Sequence, residues 1–299
     1  MSHTSANNTI IDPKDCTFET CSIEDSYFDY RPSLALNSLL IALFGLSVVL
    51  YLIQGIRYKT WSFLAVMLLG NIGEIIGYAG RVMGYNNPFT MDPFLIQICC
   101  LTFAPAFFAA GIYLCLSRIV IIFGADISRI PPKAYTWLFV TCDFISLVLQ
   151  AAGGGIASVT SQDGESPTLG TNIMITGLAF QVFTLAMFMI LCAEYALRVV
   201  RRKGSLDPTH AKLRASRKFR GFLCALALST TFIMIRSVYR VIEMAQGWSG
   251  ALMADETLFF ILEGVMVVCA VGALNVFHPG WCFGEGYRVT EKGGEEESM

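Results

Sequence analysis

The sequence has little charge and almost no histidine. Only 15% of its 299 residues are Asp, Glu, Lys or Arg, whereas 55% are hydrophobic, and the mean hydropathy is +0.58. These values lie outside the range of soluble globular domains and indicate a membrane protein. The three histidines, His3, His210 and His278, fall outside the long apolar runs. That placement argues against an intramembrane metal hydrolase with histidine ligands.

Motifs of catalysis and nucleotide binding are also missing. The sequence has no Gly-rich phosphate loop ending in Lys-Ser or Lys-Thr, so we do not expect ATP to bind directly. It has no nucleophile-elbow serine motif. Its last apolar run holds no lysine that would form a retinal Schiff base. We therefore expect a protein that is not an enzyme, with no cofactor, no bound metal and no nucleic-acid partner.

Long apolar runs are the feature that the sequence has in abundance. A membrane-spanning helix needs roughly 20 mostly apolar residues, whereas a membrane barrel shows alternating segments of about 10 residues. Windows of the first kind occur at residues 34–54, 62–83, 94–123, 134–156, 172–197, 221–243 and 257–277. The predicted fold is all-α, a polytopic membrane protein with a bundle of seven transmembrane helices.

The charges in the connections predict the orientation of this bundle. Lys and Arg concentrate in the first, third and fifth connections, whereas the second, fourth and sixth carry Asp and Glu. Basic connections stay on the cytoplasmic side, so the N-terminus is predicted outside and the C-terminus inside. The chain then divides into an extracellular polar tail (1–33), a transmembrane domain (34–280) and a cytoplasmic acidic tail (281–299).

The polar N-terminal tail carries two features of an exterior segment. Asn7-Asn8-Thr9 is a glycosylation sequon with Asn7 as the acceptor. Cys16 and Cys21 lie where an oxidising compartment permits a local disulfide. The sequence leaves a bridge and two free thiols equally open.

Polar residues interrupt the apolar runs. Acid, amide and guanidinium groups are costly inside a bilayer and are interpreted by default as facing an internal functional site. Helical spacing places them on shared faces, and the rise of about 1.5 Å per residue puts most of them in the outer half of the bundle. The candidate substrate-binding or translocation residues are Glu74, Tyr78, Arg81, Asp143, Gln150, Gln181, Arg236, Arg240, Glu243 and Glu263.

This polar set predicts a water-accessible pocket that opens outward. Four of its members are acids and three are arginines, so complete pairing leaves one acid to be protonated or to meet a cationic ligand. The alternative interpretation is that ion pairs and hydrogen bonds only fix the packing of the helices.

Motifs in successive runs resemble a known family. They are Gly73-Glu74-Ile75-Ile76-Gly77-Tyr78 with Arg81, Ala104-Pro105, Asp143-x-x-Ser146-x-x-x-Gln150, Arg236-x-x-x-Arg240-x-x-Glu243, and Phe277-His278-Pro279-Gly280. In this order they resemble the fungal lipid-translocating exporter family, also called the resistance-to-aminocholesterol type. The resemblance implies export or flip of sphingoid long-chain bases and resistance to toxic amphiphiles. It also implies a fungal plasma membrane, or a vacuolar or other endomembrane.

Functions of different classes stay open at this point. One is a transporter or translocator of amphiphilic lipids, in which a carboxylate pairs with the amine of a sphingoid base while its alkyl chain stays in the membrane. A second is a seven-helix receptor-like lipid sensor, because an exterior N-terminus, an outward pocket and a basic inner connection also suit a receptor. The family resemblance adds a third, a porphyrin or haem transporter.

Overall fold

The fold is helical from the end of the N-terminal tail onward. A computed structural model describes residues 3–4, 10–11, 16–23, 26–28, 30–124, 127–129, 131–162, 166–202, 210–247 and 250–283. The helices are α1 (Leu34–Tyr58), α2 (Trp61–Asn86), α3 (Met91–Phe123), α4 (Pro132–Gln162), α5 (Thr168–Arg201), α6 (Ala211–Ala215), α7 (Arg217–Ala245), α8 (Ala251–Ala254), α9 (Glu256–Phe259), α10 (Met266–Val276) and α11 (Pro279–Phe283). A π-helical segment, Phe260–Val265, joins α9 to α10, and β1 (His3–Thr4) pairs antiparallel with β2 (Ile10–Ile11) in the tail.

Seven segments of the described chain are long and apolar enough to cross a membrane. They are α1 to α5, α7 and a last one, Glu256–Phe283, which we call the seventh span. Each contains one of the seven windows predicted from the sequence, which confirms the number and the positions of the spans. The orientation of the termini and the boundaries of the tails stay predictions.

Local sequence explains where the first helices begin and end. The Ser33 hydroxyl accepts a hydrogen bond from the Leu36 amide and caps the start of α1. Lys59, with a left-handed φ of 56°, ends that helix, and α2 begins two residues later. Gly124 ends α3 with a φ of 124°, a backbone conformation that residues other than glycine rarely adopt. Because the first connection is so short, α1 and α2 pack as antiparallel neighbours.

Residues of the N-terminal tail fold over one end of the bundle. Phe28 is buried against Phe94, with ring centroids 5.3 Å apart. The Arg31 Nε donates to the Tyr85 carbonyl at 3.1 Å, and a disulfide joins Cys16 to Cys21. Asn7 lies outside the described residues. We call this the capped end; it holds the start of α1, α3 and the seventh span and the end of α2 and α7.

Helices α4 and α5 approach each other closely enough that only glycine fits at the contact. A Cβ added to Gly153 would lie 2.5 Å from the Met174 backbone nitrogen and 2.7 Å from the Gly170 carbonyl oxygen. Gly155, one residue beyond Gly154 on the same helix, has no atom within 4 Å of such a Cβ. The two glycines therefore form a matched pair for a packing test.

Gly153→Ala is expected to reduce the free energy of unfolding by about 1–3 kcal/mol, because the backbones of α4 and α5 must move apart. Gly155→Ala is expected to leave stability unchanged or to raise it by up to about 1 kcal/mol, since alanine favours the helix and meets no neighbour. Thermal unfolding of both purified variants in detergent measures the difference. Equal melting temperatures would contradict the close contact.

Candidate functional site

The ten candidate residues form two separate clusters. The first, which we call the ionic cluster, joins residues of α2, α7 and the seventh span: Glu74, Tyr78, Arg81, Arg236, Arg240, Glu243, Glu256 and Glu263. The second, which we call the amide cluster, lies between α4 and α5 and consists of Asp143, Gln150 and Gln181. The sequence predicts all of these residues except Glu256.

Two ion pairs lie at the centre of the ionic cluster. Arg236 Nη2 donates to Glu263 Oε1, and Arg240 Nη1 donates to Glu243 Oε2. Arg240 also reaches Glu263, with its Nε 3.7 Å from Oε1. All four side chains are about 1% exposed or less. The i, i+4 and i+7 spacing on α7 thus places both arginines and Glu243 on one buried face, as the sequence predicts.

Pro105 explains a further contact of Arg236. In α3 the Leu101 carbonyl would accept the amide hydrogen of residue 105, but proline has none. Arg236 Nη2 donates to this freed carbonyl oxygen. The arginine therefore satisfies an acceptor that the helix itself leaves open, which is how broken helices become tolerable inside a membrane.

Arg81 connects the cluster to the capped end. Its guanidinium donates to Asn37 Oδ1 at 2.9 Å, to Gln97 Oε1 at 3.2 Å and to the Tyr30 hydroxyl at 2.7 Å. Glu256 Oε1 lies 3.4 Å from Arg81 Nη2. Arg81 thus holds together α1, α2, α3, the tail and the seventh span. Burial raises the pKa of Tyr30 above its ordinary value, although Arg81 opposes the shift, so this phenol stays neutral.

Glu256 is the member of the cluster that the sequence does not predict. Its Oε1 accepts a hydrogen bond from the Ser33 backbone amide at 2.6 Å and a second one from Arg81. The sequence assigns it to an acidic connection that helps to set the orientation. The available signal is its spacing from Glu263, because residues seven apart lie on the same face of a helix.

Glu74 is the one acid of the ionic cluster that has no arginine partner. Within the part of the chain that the structure describes, both of its carboxyl oxygens are buried without a hydrogen bond, and so is the neighbouring Tyr78 hydroxyl. Arg236 and Arg240 lie within electrostatic range, but each already pairs with another acid. Burial of an isolated carboxylate is so costly that the neutral form is favoured. The described cluster therefore holds four acids, three arginines and one acid in excess.

Asp143 does not face the arginines, which corrects the prediction made from the sequence. The Tyr113 hydroxyl donates to its Oδ2 at 2.9 Å, and the Thr184 hydroxyl donates to its Oδ1 at 3.3 Å. Among the described residues its hydrogen-bond partners are neutral. The reason is that α4 packs against α3 and α5, so its polar face meets hydroxyl groups instead of guanidinium groups.

The rest of the amide cluster ties α4 to α5. Gln150 Nε2 donates to the Ser146 hydroxyl at 2.6 Å and to Gln181 Oε1 at 3.2 Å. The Ser146 hydroxyl donates to the Gly177 carbonyl at 3.0 Å. Apart from Gln150 Oε1, which is buried without a partner among the described residues, these contacts join neighbouring turns and helices. The packing interpretation accounts for them.

The predicted water-accessible pocket is not open in this structure. None of the ten candidate residues is more than 4% exposed. If water surrounded these side chains, they would have solvent-accessible surface. Instead Phe259 covers Arg81 at 4.1 Å, and Glu263 lies on a π-helical segment, an irregularity that often marks functional sites in helices. The members of the ionic cluster converge, but they are closed off.

Comparison with known proteins gives the relationships of the chain. Residues 67–286 match the family model described as RTA1 like protein. The sphingoid long-chain base transporter RSB1 of Saccharomyces cerevisiae (strain Lalvin EC1118) is 33% identical over 279 residues, covering 84% of this chain and 73% of the relative. Protein RTM1 of Saccharomyces cerevisiae is 30% identical, covering 76% and 69%. Protoporphyrin uptake protein 1 of the same species is 31% identical, covering 75% and 70%.

No solved structure matches the chain. The family match extends over more than half of the sequence and includes every predicted member of both clusters. The relatives are named as transporters or uptake proteins, or carry no activity in their name, and none is named as an enzyme. The chain belongs to the RTA1-like family of proteins.

Proposed function

We propose that this protein translocates amphiphilic lipids with a cationic head group across its membrane, with sphingoid long-chain bases as the first class to test. The similarity to a sphingoid long-chain base transporter supports this proposal. The observation that carries it is the unpaired Glu74 carboxyl group inside a cluster whose three arginines are all neutralised.

The chemistry of the ionic cluster suits an ammonium ligand. An incoming amine takes the place of the proton on Glu74, so the cluster exchanges one positive charge for another and its net charge stays constant. Only the head group needs a polar path, because the alkyl chain stays in the hydrocarbon of the membrane. Glu74 lies two turns, or about 10 Å along α2, further from the capped end than Arg81. In the predicted orientation the capped end is the outer one, and a path to Glu74 from that end passes Arg81.

The similarity to a protoporphyrin uptake protein favours a second candidate, a porphyrin transporter. The carboxylates of a porphyrin are anions and need unpaired guanidinium groups. Arg81, Arg236 and Arg240 each already have a carboxylate partner. An anionic ligand would have to displace these partners, whereas a cationic ligand meets a free carboxyl group. The charge balance therefore supports the amine.

The experiment compares a charged ligand with an uncharged analogue that has the same alkyl chain. The purified protein is placed in vesicles with a fluorescent sphingoid base or with its N-acetylated, uncharged analogue, and movement of the head group across the bilayer is followed. We expect the protein to accelerate movement of the amine above the rate in empty vesicles, and to leave the acetamide at that rate. Binding of the amine without movement supports the receptor-like sensor, and acceleration of protoporphyrin alone supports the second candidate.

A further inference from the structure

A cavity lies at the end of the bundle opposite the capped end. Its volume is about 230 Å³, and it is lined by Gln54, Tyr58, Val276, His278 and Trp281. It lies between the end of α1 and the end of the seventh span. Val276 and Trp281 are 67% and 40% exposed, so the cavity opens at the outer surface of the bundle, where lipid would lie in a membrane.

Two polar atoms of the residues that line the cavity have no partner among the described residues. The His278 side chain is 1% exposed, and its Nε2 makes no hydrogen bond. The oxygen Oε1 of Gln54 is likewise buried without a partner, although the Nε2 of the same side chain donates to the Asn275 carbonyl at 3.1 Å. Unpartnered polar groups on a buried wall are costly, and they call for a ligand that can satisfy them.

The histidine is in a defined protonation state. The Gly280 amide donates to His278 Nδ1 at 3.1 Å, so Nδ1 carries no proton and Nε2 carries one. The ring is therefore neutral, and it packs beside Tyr58 at 5.8 Å between centroids. The sequence places His278 outside the spans, but the structure buries it within the seventh span. The wall of the cavity thus holds one unpartnered imidazole N–H and one unpartnered amide oxygen beside the aromatic side chains of Tyr58 and Trp281, and none of the described lining residues is charged.

We propose that this cavity binds the hydroxyl group of an uncharged membrane lipid, whose oxygen accepts from His278 and whose hydrogen is donated to Gln54. A hydroxyl group carries both the acceptor that His278 Nε2 needs and the donor that Gln54 Oε1 needs. Gln54 lies four residues, or about 6 Å along the axis, from the end of α1. A hydroxyl bound there lies near the end of the helix, and the apolar body of the lipid can extend along the exposed surface. The proposal is independent of the ionic cluster and of the function proposed for it.

An anionic head group suits the lining less well. Lys59 follows the lining residue Tyr58 in the chain but does not itself line the cavity. At the same end, Lys218 Nζ lies 4.5 Å from the centre of the Trp281 ring. It is engaged on the aromatic face and does not line the cavity. A phosphate would therefore meet the neutral imidazole and the carbonyl oxygen of Gln54, which is an acceptor and repels it.

The test is photo-crosslinking in phosphatidylcholine vesicles. The wild-type protein is exposed to a diazirine-bearing sterol and to a diazirine-bearing diacylglycerol, each with a free hydroxyl and as its O-acetyl ester. Labelling is mapped to the ends of α1 and of the seventh span by peptide mass spectrometry. For at least one lipid we expect the form with the free hydroxyl to label the protein about 2- to 10-fold more than the ester does. This ratio corresponds to the free energy of one neutral hydrogen bond. The two lipids distinguish the sources of the hydroxyl.

Variants locate the selectivity in the lining. Gln54→Met keeps the length and removes the acceptor of the hydroxyl hydrogen, so it should reduce the hydroxyl-to-ester ratio to about 1. His278→Phe keeps the aromatic ring and removes the donor, so it should reduce labelling by the free alcohol by about 2- to 10-fold. Trp137→Phe, at a side chain exposed on α4, should keep the wild-type ratio. Equal labelling by alcohol and ester in the wild type overturns the proposal. So does the absence of labelling, which assigns the cavity to water, or labelling by a phosphatidylserine probe alone.

Discussion

Arg236→Met is expected to lower the free energy of unfolding by about 3–5 kcal/mol, the usual cost of removing one partner of a buried ion pair. Methionine leaves Glu263 buried with only the more distant Arg240 Nε at 3.7 Å. It also removes the hydrogen bond from Arg236 to the Leu101 carbonyl oxygen. That oxygen has no helical donor either, because residue 105 is proline. Thermal unfolding of the purified variant in detergent measures the loss.

A double substitution and a surface control show whether the loss of stability comes from this ion pair or would follow any substitution of an arginine. Arg236→Met combined with Glu263→Met removes both charges, and it should be less destabilising than the sum of the single changes because no buried charge is left alone. Arg198→Met breaks the half-exposed pair with Glu194 and should cost about 1 kcal/mol or less. A loss for Arg236→Met no larger than that for Arg198→Met would contradict the structural role of the pair.

The sequence predicts the spans well because the bilayer imposes a simple rule of length and polarity. Each apolar window needed only its own residues to be recognised, and all seven are helical. Faces of single helices are also predictable: Arg236, Arg240 and Glu243 share one side of α7 in the structure as in the spacing. These inferences depend on neighbours within one helix, which the sequence gives directly.

The partner of each face is what the sequence does not give. Asp143 satisfies the same criteria as Glu74, yet it meets Tyr113 and Thr184 because α4 packs away from the arginines. Tyr30 reaches Arg81 from a polar tail that no periodicity places. Which helix a polar face meets depends on the order of the helices around the bundle, and a single sequence contains no direct measure of that order.

Closure of the ionic cluster is likewise a property of the packed bundle. Three contacts join the tail to the cluster. Arg81 contacts Tyr30 and Glu256, and the Ser33 amide donates to Glu256. Arg81 lies two turns nearer the capped end than Glu74 on the same face of α2. A ligand that approaches Glu74 from the capped end must therefore separate these contacts. For the translocation that we propose, opening of these contacts is therefore a required step.

Glu74→Gln is expected to slow protein-dependent translocation of a sphingoid amine by about 10- to 150-fold, the value of a hydrogen bond to a charged group. Glutamine has the shape of the neutral carboxylic acid but cannot become an anion, so it cannot replace the proton by an ammonium group. Because Glu74 makes no hydrogen bond in the closed structure, the melting temperature should stay near that of the wild type. Glu194→Gln, a surface acid on α5 paired with Arg198, serves as the control and should keep the wild-type rate. A wild-type rate in Glu74→Gln would remove this carboxyl group from the mechanism, since charge is the one property that the substitution changes.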